Sequence, residues 1–261
     1  MYIEIQNAGK RFLQNGKEFT AFENVSLSID KGEFICLLGP SGCGKSTLLN
    51  AVAGFDPVTE GSVKIDGEEV VKPSLEYVTI FQNYGLLPWR TVLKNVELGL
   101  ESKKFSKKLS KEQRRKIAEK YIDLVNLSEF KYSHPNRISG GMKQRVAIAR
   151  ALAVSPEIIF MDEPFGALDA ITRMKLQEDI LRISKEERKT IIFVTHDIEE
   201  AVFLADRIVI MTPNPGKIKS IINVPLTRYG RDRTSDDFIV LRDKVFEIFN
   251  MKHDNNIEYV I

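Results

Sequence analysis

The chain carries two stretches suited to holding phosphate, 100 positions apart. The first, Gly39-Pro40-Ser41-Gly42-Cys43-Gly44-Lys45-Ser46-Thr47, matches G-x-x-x-x-G-K-[ST] in full. Its glycines let backbone N–H groups approach phosphates closely, Lys45 can reach the β- and γ-phosphates, and the Ser46 hydroxyl can ligate Mg²⁺. The second, Ser139-Gly140-Gly141-Met142-Lys143-Gln144-Arg145, opens a run of strong helix formers that continues to Ala153. A helix N-terminus leaves backbone N–H groups without intrahelical partners and favours anions. A phosphate loop alone would indicate a nucleotide; a second anion site in the same chain needs a further explanation.

Other candidates stand where apolar runs end. Asp162 closes the run Ile158-Ile159-Phe160-Met161. At the carboxyl end of a parallel strand, where ligands bind, a carboxylate can hold Mg²⁺ through water. Glu163 is adjacent and free to orient or activate a water. His196 ends the next apolar run, and its imidazole could donate to a γ-phosphate, although a histidine so placed is more often structural. Gln82 follows Val78 to Phe81, where a neutral amide can touch both metal and water without a charge cost.

These residues need a sheet beneath them. Glu33 to Leu38, Glu157 to Met161 and Thr190 to Thr195 are apolar runs of the kind that form buried parallel strands. Helical stretches between them, such as residues 45–53 and 170–187, predict a mainly parallel α/β fold. Ahead of these, Glu23 to Ile29 alternates with period two, as does Tyr2 to Ile5. Residues 85–136 read mainly as helices, with Ser110 and Gln113 spaced for a capping box and Ile117, Tyr121, Leu124 and Val125 on one stripe. Within residues 103–120 lie nine Lys or Arg against Glu112 and Glu119. That basic face suits anionic head groups or a membrane partner, although such a charge run is more often a plain solvated surface. The tail predicts an amphipathic helix through Phe238, Leu241, Val245, Ile248 and Phe249.

Composition narrows the class. A hydrophobic fraction of 43% supports a folded core, and 38 basic against 36 acidic residues give no nucleic-acid footprint. Two cysteines, Cys36 and Cys43, suggest no disulfide framework and a reducing compartment. No secretory pattern and no apolar run of about 18 residues is present, so a link to a membrane is expected to go through a partner.

Taken together, the motifs resemble the nucleotide-binding subunit of an ATP-binding cassette (ABC) transporter, over nearly the whole chain and in family order. Residues 39–47 look like Walker A, Gln82 the Q-loop glutamine, and Ser139 to Arg145 the signature sequence, here preceded by Ile138 where leucine is usual. Ile158 to Glu163 resembles Walker B with its catalytic glutamate, Gly166-Ala167-Leu168-Asp169 the D-loop, and His196 the switch histidine. Phe12 takes the place of the aromatic residue that stacks on adenine, unless it is a core phenylalanine. The resemblance implies a P-loop NTPase (RecA-like) core with an N-terminal antiparallel β subdomain, residues 1–84 and 137–261, and an inserted α-helical subdomain, residues 85–136. It implies ATP and Mg²⁺, with Ser46, Gln82 and Asp162 toward the metal and Glu163, His196, Lys45 and Gln82 in catalysis. It also explains the second anion site: two subunits pack head to tail, and Ser139, Gly140, Gly141 and Met142 close on the partner's ATP.

A narrower likeness lies in Leu86-Leu87-Pro88-Trp89-Arg90-Thr91-Val92, in Thr195-His196-Asp197-Ile198-Glu199-Glu200-Ala201, and in Pro215-Gly216-Lys217-Ile218 followed by Arg231-Asp232-Arg233. These resemble the ATPases of bacterial importers for nitrate, sulfonate and taurine; Met142, where many members have glutamine, also favours import, while Gly230 replaces a frequent proline. Trp89 would then lie either beside the groove that receives a permease helix or in the helical core. The expected partners are a second ATPase subunit, transmembrane permease subunits and, indirectly, a substrate-binding protein, at the cytoplasmic face of the membrane. An importer for a thiamine or pyrimidine precursor would use the same ATPase. A soluble DNA-repair relative would need a long coiled coil between the two motifs, ribosome-acting relatives usually carry two cassettes, and a P-loop kinase would not need residues 139–145.

Overall fold

A computed structural model describes residues 1–14, 16–74, 76–81, 84–227 and 230–251. Gln82 lies outside them.

The chain opens with an antiparallel hairpin, β1 (Ile3–Gln14) and β2 (Lys17–Ile29), in register from Ile3 opposite Ile29 to Gln14 opposite Lys17. Val25, Leu27 and Ile29 point inward with Ser26 exposed between them, the alternation visible in the sequence. The hairpin runs further than the alternation does. Residues 17–20 carry mostly exposed side chains and are strand only through their backbone ladder to β1, a pairing that leaves no hydrophobic period.

Next come β3 (Phe34–Leu38), α1 (Lys45–Val52), β4 (Glu60–Ile65), β5 (Glu68–Glu69) and β6 (Tyr77–Ile80). Helices α2 (Val92–Glu97), α3 (Lys103–Ser106) and α4 (Lys111–Leu124) follow. Ser110 caps α4 with both bonds of the capping box to Gln113, and Tyr121 and Val125 face inward. Lys107, Lys108, Lys111, Arg115 and Lys120 are exposed, and Trp89 is 72% exposed, outside the helical core. The chain then alternates: α5 (Gly140–Ala153), β7 (Ile158–Asp162), α6 (Ala170–Glu186), β8 (Thr190–Thr195), α7 (Ile198–Leu204), β9 (Arg207–Thr212). It closes with β10 (Lys217–Asn223), an edge strand antiparallel to β9, and α8 (Asp236–Asn250). β10 was not legible in the sequence: most of its residues are half-exposed or exposed, without alternation.

Among the described residues the strands form two sheets, β2-β1-β4-β5 and β10-β9-β3-β8-β7-β6. In the larger sheet β9, β3, β8, β7 and β6 are parallel. Every residue of β3 and β8 is buried, because the sheet is covered on both faces. Successive side chains take opposite faces. Ile35 and Leu37 pack with α1 and the antiparallel sheet, whereas Phe34, Cys36 and Leu38 pack with the helices α2 and α4–α8. No described helix is long and apolar enough to cross a membrane.

Candidate functional site

The loop after β3 is shaped by contacts that only small residues allow. Gly44 caps α1 at φ 89°, a left-handed conformation, and a Cβ there would lie 2.7 Å from the Ala21 carbonyl oxygen of β2. The small sheet therefore backs directly onto the loop. The tail joins it: the Gly216 amide donates to Ala21 O at 3.0 Å, and the Glu23 amide donates to Gly216 O at 3.0 Å. Lys45 is buried, its ammonium donating to the carbonyls of Gly39 at 2.7 Å and Pro40 at 2.9 Å. Ser41, Gly42 and Ser46 are exposed at the mouth, Pro40 and Thr47 are half-buried, and Cys43 is buried beneath, where burial pushes its thiol pKa up.

The parallel strands bring three further candidates to the same edge. The Ser46 hydroxyl donates to Asp162 Oδ1 at 2.8 Å, joining α1 to the end of β7 across 116 positions. Burial pushes the Asp162 carboxyl above its ordinary value; the Ser46 bond opposes this and the Glu163 charge adds to it. Glu163 has φ 45°, a left-handed backbone that costs a non-glycine residue about 1–2 kcal/mol. Its amide donates to Val194 O at 3.1 Å, and this turn ends β7. Glu163 Oε1 lies 3.1 Å from His196 Nδ1, just past β8. Consecutive acids thus meet different partners, one hydroxyl and one imidazole. A cleft of about 580 Å³ opens beside His196 against Arg242, Asp243 and Phe246 of α8.

A residue that carried no weight in the sequence reading ties this edge together. Gln144, 2% exposed on α5, donates from Nε2 to Glu163 O at 3.4 Å and accepts at Oε1 from the Ala167 amide at 3.2 Å. A Cβ on Gly141 would lie 3.1 Å from Ala167 O, so the first turn of α5 lies against the 166–169 loop. A glutamine inside a helical run has no periodic signature of its own; only its burial marks it. Asp169 caps α6, accepting from the Thr172 amide at 3.0 Å, which holds its carboxyl below the ordinary range.

The other predicted residues stand apart. Ser139 and Gly140 are exposed and Met142 is half-buried. The Ser139 hydroxyl accepts from the Met142 amide at 3.2 Å, so one helix N–H that appeared bare in the sequence is capped within the chain. That side-chain bond stays within its own helix and does not reach residues 39–47. Phe12 is 37% exposed on the hairpin, with the Lys10 ammonium 5.2 Å from its ring, and is not a core residue.

The oxygen donors present suit Mg²⁺. Ser46 and Asp162 offer a hydroxyl and one carboxylate that already face each other, and a hard cation completed by phosphates and water needs little more from the protein. A cation there would also offset the burial cost of the Asp162 charge.

Residues 22–166 match the ABC transporter family. A bicarbonate transport ATP-binding protein of Synechocystis is 46% identical over 90% of this chain and 84% of its own length. A nitrate import ATP-binding protein of Synechococcus elongatus is 46% identical over 87% and 82%. An aliphatic sulfonates import ATP-binding protein of Bacillus cereus is 46% identical over 95% and 96%. Among solved structures, the dimeric post-hydrolysis state of an ATP-binding cassette bound to ADP and Pi superposes with a TM-score of 0.79 at 36% identity, covering 86% of this chain and 100% of that one. With its phosphate loop, its paired strand-end acids and these relatives, the chain belongs to the ABC transporter family, as an ATPase of the ATP-binding cassette type.

Proposed function

We propose that this chain is the ATP-hydrolysing subunit of an importer for a small anion, acting in a head-to-tail pair on the cytoplasmic face of a membrane and docked there through a permease. The pair of contacts Ser46–Asp162 and Glu163–His196 on one sheet edge carries the reading. A hydroxyl–carboxylate pair and a carboxylate–imidazole pair beside residues 39–47 support a metal site and a general base there.

The loop N–H groups of residues 39–47 and Lys45 bind the phosphates, and Phe12, exposed on the hairpin, stacks on adenine. Ser46 and Asp162 would hold Mg²⁺, with Gln82 as a further ligand. When bound, Mg²⁺ neutralises phosphate charge and orients the terminal phosphoryl group. Glu163 accepts a proton from the attacking water as its oxygen bonds to the γ-phosphorus, and the bond to the β–γ bridging oxygen breaks, releasing ADP and phosphate. His196 orients the Glu163 carboxylate and meets the γ-phosphate. Ser139, Gly140, Gly141 and Met142 close on the partner's nucleotide, with Asp169 at the same interface. Residues 85–136 act as a helical subdomain that carries closure to the permease, with exposed Trp89 near the contact. The relatives are named for bicarbonate, nitrate and aliphatic sulfonates, all small anions, which supports an anionic cargo.

The test is the transporter assembled with its permease and binding protein. Glu163→Gln should keep ATP binding, lower turnover by about 10²–10⁴-fold and accumulate a closed dimer. Wild-type turnover by that variant would remove Glu163 as the base. Turnover of the unmodified assembly should rise with a binding protein loaded with nitrate, bicarbonate or an alkylsulfonate; no response to any of the three would overturn the anion reading.

A further inference from the structure

The run Arg231-Asp232-Arg233 lies far along the chain from both phosphate motifs, yet each of its residues does something definite. Arg231 donates to the carbonyls of Val202 at 3.0 Å and Phe203 at 2.7 Å, near the end of α7. Asp232 forms the turn into α8, accepting from the Thr234 amide at 2.8 Å and the Thr234 hydroxyl at 2.7 Å. Arg233 points inward. Its guanidinium carbon lies 3.5 Å from the centroid of the Phe203 ring, and its Nη2 donates to Gln177 Oε1 at 2.6 Å.

From Gln177 a buried chain of hydrogen bonds leads to the sheet edge. Gln177 Nε2 donates to Glu200 Oε1 at 3.1 Å. The Thr195 hydroxyl donates to Glu200 Oε2 at 2.7 Å and accepts from the Asp197 amide at 3.0 Å. Gln177, Glu200 and Thr195 are 2%, 8% and 2% exposed. Thr195 and Asp197 are the two neighbours of His196. The amide of Gln177 is oriented at both ends, its oxygen toward the guanidinium and its nitrogen toward the carboxylate. Arg233 is thus a cation to which the buried Glu200 is linked through one intervening side chain, with Arg173 and His196 also acting on its charge. Removing it leaves the Gln177 oxygen without that donor in a buried place, where an unpaired group is costly and the network rearranges.

We propose that Arg233 is a positioning residue for His196, acting through Gln177 and Glu200 to hold the Thr195–Asp197 backbone, so that the C-terminal segment sets the rate of ATP turnover. This rests on the reading that His196 serves turnover. It adds a control from a segment beyond residues 22–166.

The experiment reads kinetics on the assembled transporter and the histidine ring resonances of the purified chain, which has three histidines to assign by replacement. Arg233→Gln should lower kcat about tenfold with KM for ATP unchanged, and should displace the His196 ring resonance. Arg233→Lys, which keeps one donor within reach of Gln177, should recover much of the rate. If Arg233→Gln does not fold, Glu200→Gln, whose one amide oxygen cannot accept from both Gln177 and Thr195, should give the same split and displacement. A wild-type kcat per folded molecule, or an unmoved His196 resonance, overturns the proposal. Failure of the underlying reading looks different: His196→Gln itself would then turn over ATP at the wild-type rate.

Discussion

Asp162 carries a burial cost that a bound cation would offset. Burial raises its carboxyl pKa, so the folded chain holds this proton more tightly than the unfolded chain does. Stability therefore falls as pH rises from the ordinary carboxylate value through the raised one, and stays lower above it. Asp162→Asn keeps an acceptor for the Ser46 hydroxyl and removes the charge. The nucleotide-free variant should melt roughly 1–3 °C higher than the parent at pH 7, with the gain shrinking toward the ordinary carboxylate pH. It should also lose ATP turnover. Calorimetry across pH with a parallel ATPase assay checks both; a variant that melts lower at pH 7 would show that the carboxylate is stabilising as it stands. Glu163 carries a cost in its backbone, where a left-handed turn is held by Val194 and Gln144.

At the scale of elements, α5 is the beam of the molecule. Its first turn lies against the 166–169 loop, Gln144 holds Glu163 O and the Ala167 amide, and Arg145 donates to Val125 O at 3.0 Å in the helical region. Farther along, Arg150 donates to the carbonyls of Gly85 at 2.6 Å and Tyr84 at 2.8 Å. One helix therefore touches the Glu163 turn, the helical region and Tyr84 and Gly85. Gln144→Leu fills the same space but removes this partner from the half-buried Glu163 carbonyl and from the amide of exposed Ala167, at about 1 kcal/mol each. Urea unfolding should report a loss of about 2 kcal/mol. Turnover should fall about tenfold with nucleotide affinity unchanged, because the Glu163 turn is no longer fixed. Unchanged turnover would confine Gln144 to packing.

Over the whole molecule, the six-stranded sheet separates two jobs. One face carries α1 and the small sheet that backs the phosphate loop, and the other carries the helices, α5 among them. Ser139 and Gly140 are exposed, with the Ser139 side chain bonded only to its own helix. In a head-to-tail pair each chain supplies two different half-sites, and this gives a complementation test. Lys45→Ala and Ser139→Arg should each abolish turnover alone. Mixed, they form heterodimers that concentrate both defects in one site and leave the other whole. Random pairing makes half the dimers mixed, so about a quarter of wild-type activity should return. No recovery on mixing, with mixed dimers demonstrated by size and mass, would rule out shared sites.

What the sequence by itself determined is local. The phosphate loop between a buried strand and a helix, the acids at the end of β7 and the cap of α4 are all written within about ten residues, where spacing and period fix conformation. The tertiary structure decided what depends on chain crossing. The Glu163–His196 approach spans 33 positions, Gln144 reaches Ala167 across 23, and Arg233 reaches Gln177 across 56. None of these pairs has a period, and a polar residue bound for a buried partner looks in the sequence like any other on a solvated face. The same reason hid the outer half of the β1–β2 hairpin and β10. Their strand character comes from a neighbour's backbone, and a backbone ladder leaves no mark on side-chain type.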